Sequence, residues 1–198
     1  MFEPAMLKEE TISLLAKIAR TPAHSRDGKS DSPAPDSNSI LSLAAASYGA
    51  RPDAEATVPT GFDPLAVALF EAIVEAAYLV AASDGVVDAE EREAFERVVS
   101  AACGGAVAPK HVADLVADLV GQLEEDGMDR RIQAVGRLIT KKSHAEEVLR
   151  IAVLLAQASD SVSDVERQTL VRIAEACKLE PADVDTALRE VQAALAVA

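Results

Sequence analysis

An eight-residue stretch, Asp84-Gly85-Val86-Val87-Asp88-Ala89-Glu90-Glu91, returns in weakened form as Asp160-Ser161-Val162-Ser163-Asp164-Val165-Glu166. Each copy follows a run of alanine and aliphatic residues and precedes a charged segment. Glu91-Arg92 aligns with Glu166-Arg167, 75 residues later, and the same offset places Phe95 on Leu170 and Val98 on Ile173. Placing Asp84 on Asp160 requires 76, so the second turn is about one residue shorter. A chain that repeats such a unit buries two similar apolar faces in one shared core, because a single unit cannot cover its own.

The side chains available for that core narrow the fold further. Hydrophobic residues make up 49% of the 198, aromatics only 3%, and Trp is absent. A core of Ala, Leu, Val and Ile favours close-packed helices over a sheet. The expected fold is therefore all-α: a compact bundle of about seven helices in two pseudo-symmetric helix–acidic turn–helix halves, with a short amphipathic helix ahead of it on a flexible linker.

That division follows the chain. Residues 1–20 carry Leu7, Leu14, Leu15 and Ile18 on one face of a short helix, a stripe that needs a surface to cover it. The expected role is a docking element that enters a groove on a protein partner. Residues 21–61 are rich in Ser, Pro and Asp and read as a flexible linker, interrupted by the brief apolar patch Ile40 to Tyr48. The globular part, 62–198, opens at Asp63-Pro64, a capping residue followed by a proline suited to the first helical position. Further helices are expected from Ala89 to a stop at Gly104-Gly105, from Pro109, from Met128 to Lys141, from a Ser143-to-Glu146 capping box to Ala158, up to Cys177, and from Pro181.

A formal net charge of −14 excludes nucleic-acid binding, which depends on neutralising phosphates, and opposes anionic lipid. No signal peptide is read, and no apolar run is judged long enough to span a bilayer. Cys103 and Cys177 form neither a framework nor a CxxC pair, so the expected setting is the reducing cytoplasm.

Two readings compete for the acidic turns. In one, Asp88-x-x-Glu91 and Ser163-x-x-Glu166 are capping boxes and nothing more. In the other, Gly85 to Glu91 matches the second half of a calcium-binding loop. Val80 and Ala82 stand where the first half needs carboxylates, so a complete loop of that type is excluded. A cation would then draw oxygens from both turns, from Asp84, Asp88, Glu91, Asp160, Asp164 and Glu166 together.

The Ala-rich helix followed by Ser83-Asp84-Gly85-Val86-Val87-Asp88-Ala89-Glu90-Glu91-Arg92 resembles the tellurite-resistance TerB family and the TerB-like domains fused to membrane-associated co-chaperones. So does the second Ala-rich helix with Ser159-Asp160-Ser161-Val162-Ser163-Asp164-Val165-Glu166-Arg167 and the later Cys177-Lys178-Leu179-Glu180-Pro181-Ala182-Asp183. The resemblance runs from about Phe62 to Ala198. It implies an all-helical bundle of two related halves, no enzymatic activity, a place in stress or phage-response assemblies, and a divalent cation at the acidic turns. By position that cation falls on Asp84, Asp88 and Glu91, and on Asp160 and Glu166, where Ser161 replaces the usual Gly.

Other chemistry is thin. His24, His111 and His144 fall in the linker and near two helix starts, and the two cysteines read as small buried hydrophobes. No phosphate loop, nucleophile elbow or zinc spacing is present. The expected function is non-enzymatic: a module binding a divalent cation or a protein partner through its acidic turns. The alternative is a metal-free interaction or cargo protein, delivered to a larger assembly by its N-terminal segment.

Overall fold

A computed structural model describes residues 8–21, 39–50, 63–85, 87–157 and 162–197. Among them the secondary structure is entirely helical: α1 Glu9–Arg20, α2 Ile40–Gly49, α3 Pro64–Ala81, α4 Ala89–Ala102, α5 Pro109–Asp126, α6 Met128–Leu138, α7 Lys142–Ala156, α8 Asp164–Ala176 and α9 Pro181–Val197. The all-α expectation holds.

The centre is α3. Asp63 caps it, its Oδ1 accepting from the Leu65 amide at 2.9 Å, and Pro64 occupies the first turn as its fixed φ allows. From Ala72 to Val80 every side chain is buried, surrounded by α2, α5, α6, α7 and α8. A helix apolar on all sides must be enclosed on all sides. Contrary to the expectation from sequence, this 18-residue helix is long and apolar enough to cross a membrane, with a mean hydropathy of 1.8. Its carboxylate Glu75, 4% exposed, is held by the Arg131 side chain of α6 at 2.6 Å, and Arg131 also reaches Asp126 at 3.1 Å. The bond to Glu75 is the foremost cause that raises the Arg131 pKa, and the arginine supplies the partner that a buried carboxylate needs.

Two of the segment boundaries move. The stretch expected as linker contains α2, begun by Ser39, whose Oγ accepts from the Ser42 amide at 3.1 Å. Leu41, Ala44, Ala45 and Tyr48 are buried on α3, and the Tyr48 ring lies 4.6 Å from that of Phe70. Likewise, the stripe on α1 does not wait for a partner. Leu15 and Ile18 are buried with Ile12, Ala16 and Ala19 against α4, α7 and α9, and Leu14 is half-buried. Leu7 lies outside the described residues. Burying five apolar residues, worth about 1.5–3 kcal/mol for each large one, is what a marginal 12-residue helix needs to persist. The stripe is thus covered by the chain's own helices.

Local signals fix most of the remaining ends. Gly104, with φ of 59°, lets the chain leave α4 in the left-handed region. The equivalent place after α8 is taken by Lys178, φ 63°, where the Leu179 amide reaches back to the Ala174 carbonyl at 2.9 Å. The Ser143 capping box is not formed. α7 starts two residues earlier, after Lys141 and without a side-chain cap, and Ser143 lies inside its first turn. Lys142 instead pairs with Glu146 one turn on, at 3.7 Å. α6 and α8 meet at Gly136, where an added Cβ would stand 2.4 Å from the Ala176 carbonyl oxygen. Tyr78 meets Phe95 of α4 edge-on, ring centroids 5.8 Å apart.

Candidate functional site

The acidic turns are the features the repeat singles out, and their geometry is local and reciprocal. In the first, Asp88 Oδ1 accepts from the amides of Glu90 and Glu91 at 2.8 and 2.9 Å, and the Asp88 amide donates to Glu91 Oε2 at 2.9 Å. In the second, the Glu166 amide donates to Ser163 Oγ at 3.2 Å, and the Ser163 amide donates to Glu166 Oε2 at 2.7 Å. Both are complete capping boxes, with residues of different chemistry, Asp and Ser, in the capping role. Val87 and Val162, each just ahead of its cap residue, pack against the core and fix where each helix begins.

This accounts for three of the six residues expected at a cation site. Asp88, Glu91 and Glu166 spend carboxylate oxygens on amides, and Glu166 is buried besides. Asp84 is exposed on the first turn and Asp164 in the first turn of α8. Asp160 lies outside the described residues. Among the described residues no three His, Cys, Asp or Glu side chains converge closely enough to hold a metal ion.

The candidate nucleophiles are as quiet. Cys103 and Cys177 close α4 and α8, both buried, and burial pushes their thiols up to about 12 and about 11. A thiol that holds its proton so firmly is a poor nucleophile. His144 is half-buried, and burial followed by the nearby Lys141 charge lowers its pKa. His111 is exposed on α5, and His24 lies outside the described residues.

Sequence reasoning missed both buried charge pairs, Glu75–Arg131 and a second on α7. On α7, Arg150 donates through Nε to Glu147 Oε2 at 2.8 Å and through Nη2 to Glu147 Oε1 at 2.9 Å. Its outer nitrogens reach the carbonyl oxygens of Ile18 and Ala19, both at 3.1 Å. The signal was present: an arginine between Leu149 and Ile151, in an otherwise aliphatic run, needs a partner wherever that run is buried. Beside α1, a shallow groove of about 290 Å³ between α1 and α4 is lined by Glu9, Ile12, Glu93, Glu96 and Arg97 among others. It is open to solvent, with charged residues interleaved with Ile12, Ala101 and Pro109, unlike the enclosed pockets that hold small ligands.

Compared with protein families, the chain matches the one described as tellurite resistance protein TerB over residues 70–192, more than half its length. The match takes in both capping boxes and leaves α1 and α2 outside. Comparison with curated proteins finds no match, and comparison with solved structures finds none either.

Proposed function

The chain belongs to the tellurite resistance TerB family, and we propose that it acts in a stress response as a non-catalytic binding module, engaging a protein partner of positive charge through its acidic surface. One observation carries this reading: the side chains from which an active site would be drawn are occupied in holding the bundle together. The turn carboxylates cap helices, the buried carboxylates pair with arginines, and the thiols are raised far above neutrality. What remains outward is charge. Glu90, Glu91 and Glu93 on α4 and Glu124 and Glu125 on α5 are exposed, in a chain of net charge −14. Such a field draws in a cationic surface and speeds encounter more than it tightens the complex. The free, buried cysteines accord with a reducing, cytoplasmic setting.

A second reading, a divalent cation at the turns, is supported by the exposed carboxylates Asp84 and Asp164, one beside each turn. Calorimetric titration of the metal-free protein with Ca²⁺, Mg²⁺, Mn²⁺ and Zn²⁺ separates the two. Saturable heat with a stoichiometry near one, reduced by Asp84→Asn, favours the cation. Absence of heat, together with salt-sensitive capture of a basic protein, favours the partner alone.

A further inference from the structure

The surface under α1 is formed mainly by α4, with α7 and α9; these three begin inside the family match, whereas α1 lies some fifty residues before it, and α2, which also touches α1, is outside it too. The domain thus presents a groove, and a helix from outside the domain fills it. The filling is specific along its length. Ile12, Leu15 and Ile18 enter at three-residue spacing, with Ala16 and Ala19 beside them where the approach is close, and all five are 9% exposed or less. Lys8, Glu9, Glu10, Ser13, Lys17 and Arg20 face outward.

The carboxyl end of α1 meets a built receptor. A helix ends with carbonyls that have no partner inside the helix and carry its negative pole. Arg150, 7% exposed, is locked in place by two bonds to Glu147, itself 2% exposed, and turns its remaining donors onto the carbonyls of Ile18 and Ala19. An ion pair kept this deep in a groove, with its free donors aimed at the end of a helix, fits a recognition element better than a packing one, since aliphatic residues of like volume would stabilise the site as well. At the other end Glu9 pairs with Arg97 of α4. We propose that the groove of α4, α7 and α9 is a helix-binding site, that Glu147 and Arg150 read the carboxyl end of the bound helix, and that α1 occupies it as an exchangeable cover in cis. The ligand class is an amphipathic helix with large aliphatic residues three apart, small residues next to the last two, and its last turn at the arginine. The proposal does not depend on the acidic surface or on a cation.

The test uses the full chain with a specific protease site placed between residues 22 and 38. After cleavage and gel filtration to remove the freed N-terminal fragment, a fluorescent peptide of residues 8–21 is titrated and its anisotropy read. The peptide should saturate the cut protein and be displaced by its unlabelled form. It should bind the uncut chain about a hundredfold or more weaker, because the tethered helix competes at high effective concentration. A peptide carrying Leu15→Asp should not bind. Arg150→Met should weaken binding at least tenfold; should that variant not fold, a peptide ending at Lys17, without the two carbonyls, should show the same loss. Three results would overturn the proposal: the cut chain unfolds, the fragment cannot be removed or exchanged, or the peptide binds cut and uncut chains alike.

Discussion

The capping boxes allow the carboxylate at the first turn to be separated from the hydrogen bonds it makes. Asp88 accepts two amide hydrogen bonds through one oxygen, and at the corresponding position of the second box Ser163 performs the same task with a hydroxyl. Replacing Asp88 by Ala removes both bonds and orphans two first-turn amides, at a cost of about 1 kcal/mol, and up to about 2 where the cap is strong. For a chain of this length, 1 kcal/mol lowers the melting temperature by about 2–4 °C. Asp88→Ser keeps an acceptor in place. It loses the attraction of a negative charge for the helix start, about 0.3–1 kcal/mol, but also relieves repulsion from Glu90 and Glu91, which share that turn. The net effect expected is a few tenths of a kcal/mol, hardly visible in a melt. The assay is thermal unfolding followed by circular dichroism at 222 nm, for wild type and both variants, in EDTA and again with millimolar Ca²⁺ or Mn²⁺. If Asp88→Ser falls as far as Asp88→Ala in EDTA, the hydroxyl does not replace the carboxylate and the capping account is wrong. If a metal raises the wild-type melting temperature and Asp88→Ser abolishes that rise, the carboxylate is a ligand and the cation reading gains over the partner reading.

Further expectations concern the frame around the turns. Gly136→Ala should destabilise by up to about 2 kcal/mol in denaturant unfolding, since overpacking against the Ala176 carbonyl costs about 1–3 and the better helix propensity of Ala returns about 1; a gain in stability would mean that α6 and α8 part easily. Lys178→Gly should stabilise by about 0.5–1 kcal/mol by releasing a left-handed backbone from its side chain, and an unchanged midpoint would show that the strain is absorbed. The two thiols should resist Ellman's reagent at pH 8 and react at once in guanidinium. Because their folded pKa values, about 12 and about 11, lie above the reference 9.0, their contribution to stability is whole below pH 9 and is lost as pH rises towards 11 and 12. A flat stability between pH 8.5 and 10.5 for wild type, matching that of a variant with both cysteines changed to Ala, would refute that linkage.

Where the sequence spoke plainly, it spoke through residues that act on their immediate neighbours. Asp63-Pro64, Asp88-x-x-Glu91, Ser163-x-x-Glu166 and Gly104 each serve backbone groups within three or four residues, so their spacing alone foretold the helix ends. Ser143-x-x-Glu146 has the same spelling and failed, because the chain turned helical two residues too soon for Ser143 to stand at the cap. Ile40 to Tyr48 was unreadable for another reason. So short an apolar segment has no polar face to betray its period, and its helicity comes from the side of α3 on which it lies. The stripe of Leu15 and Ile18 showed which face of α1 is buried but not on what, since periodicity names a face and never its receptor. The receptor's own mark was Arg150, a charge stranded among aliphatics whose partners, Glu147 excepted, come from more than a hundred residues away.

The aromatic pairs give this chain an unusual optical simplicity. It has no tryptophan and two tyrosines, and each tyrosine ring rests on a phenylalanine across one particular helix junction. Tyr48 on Phe70 reports whether α2 lies on α3, and Tyr78 against Phe95 reports whether α3 holds α4. The tyrosine band of the near-ultraviolet circular dichroism, beyond the phenylalanine absorption, is therefore a sum of two localised signals, and changing either tyrosine to phenylalanine leaves a single tyrosine at a known place. Alkali adds a further handle, since burial raises the Tyr78 pKa and delays its tyrosinate band. The outer helix and the family core thereby carry separate natural chromophores, and whether they come apart together or in turn can be followed without attaching a label.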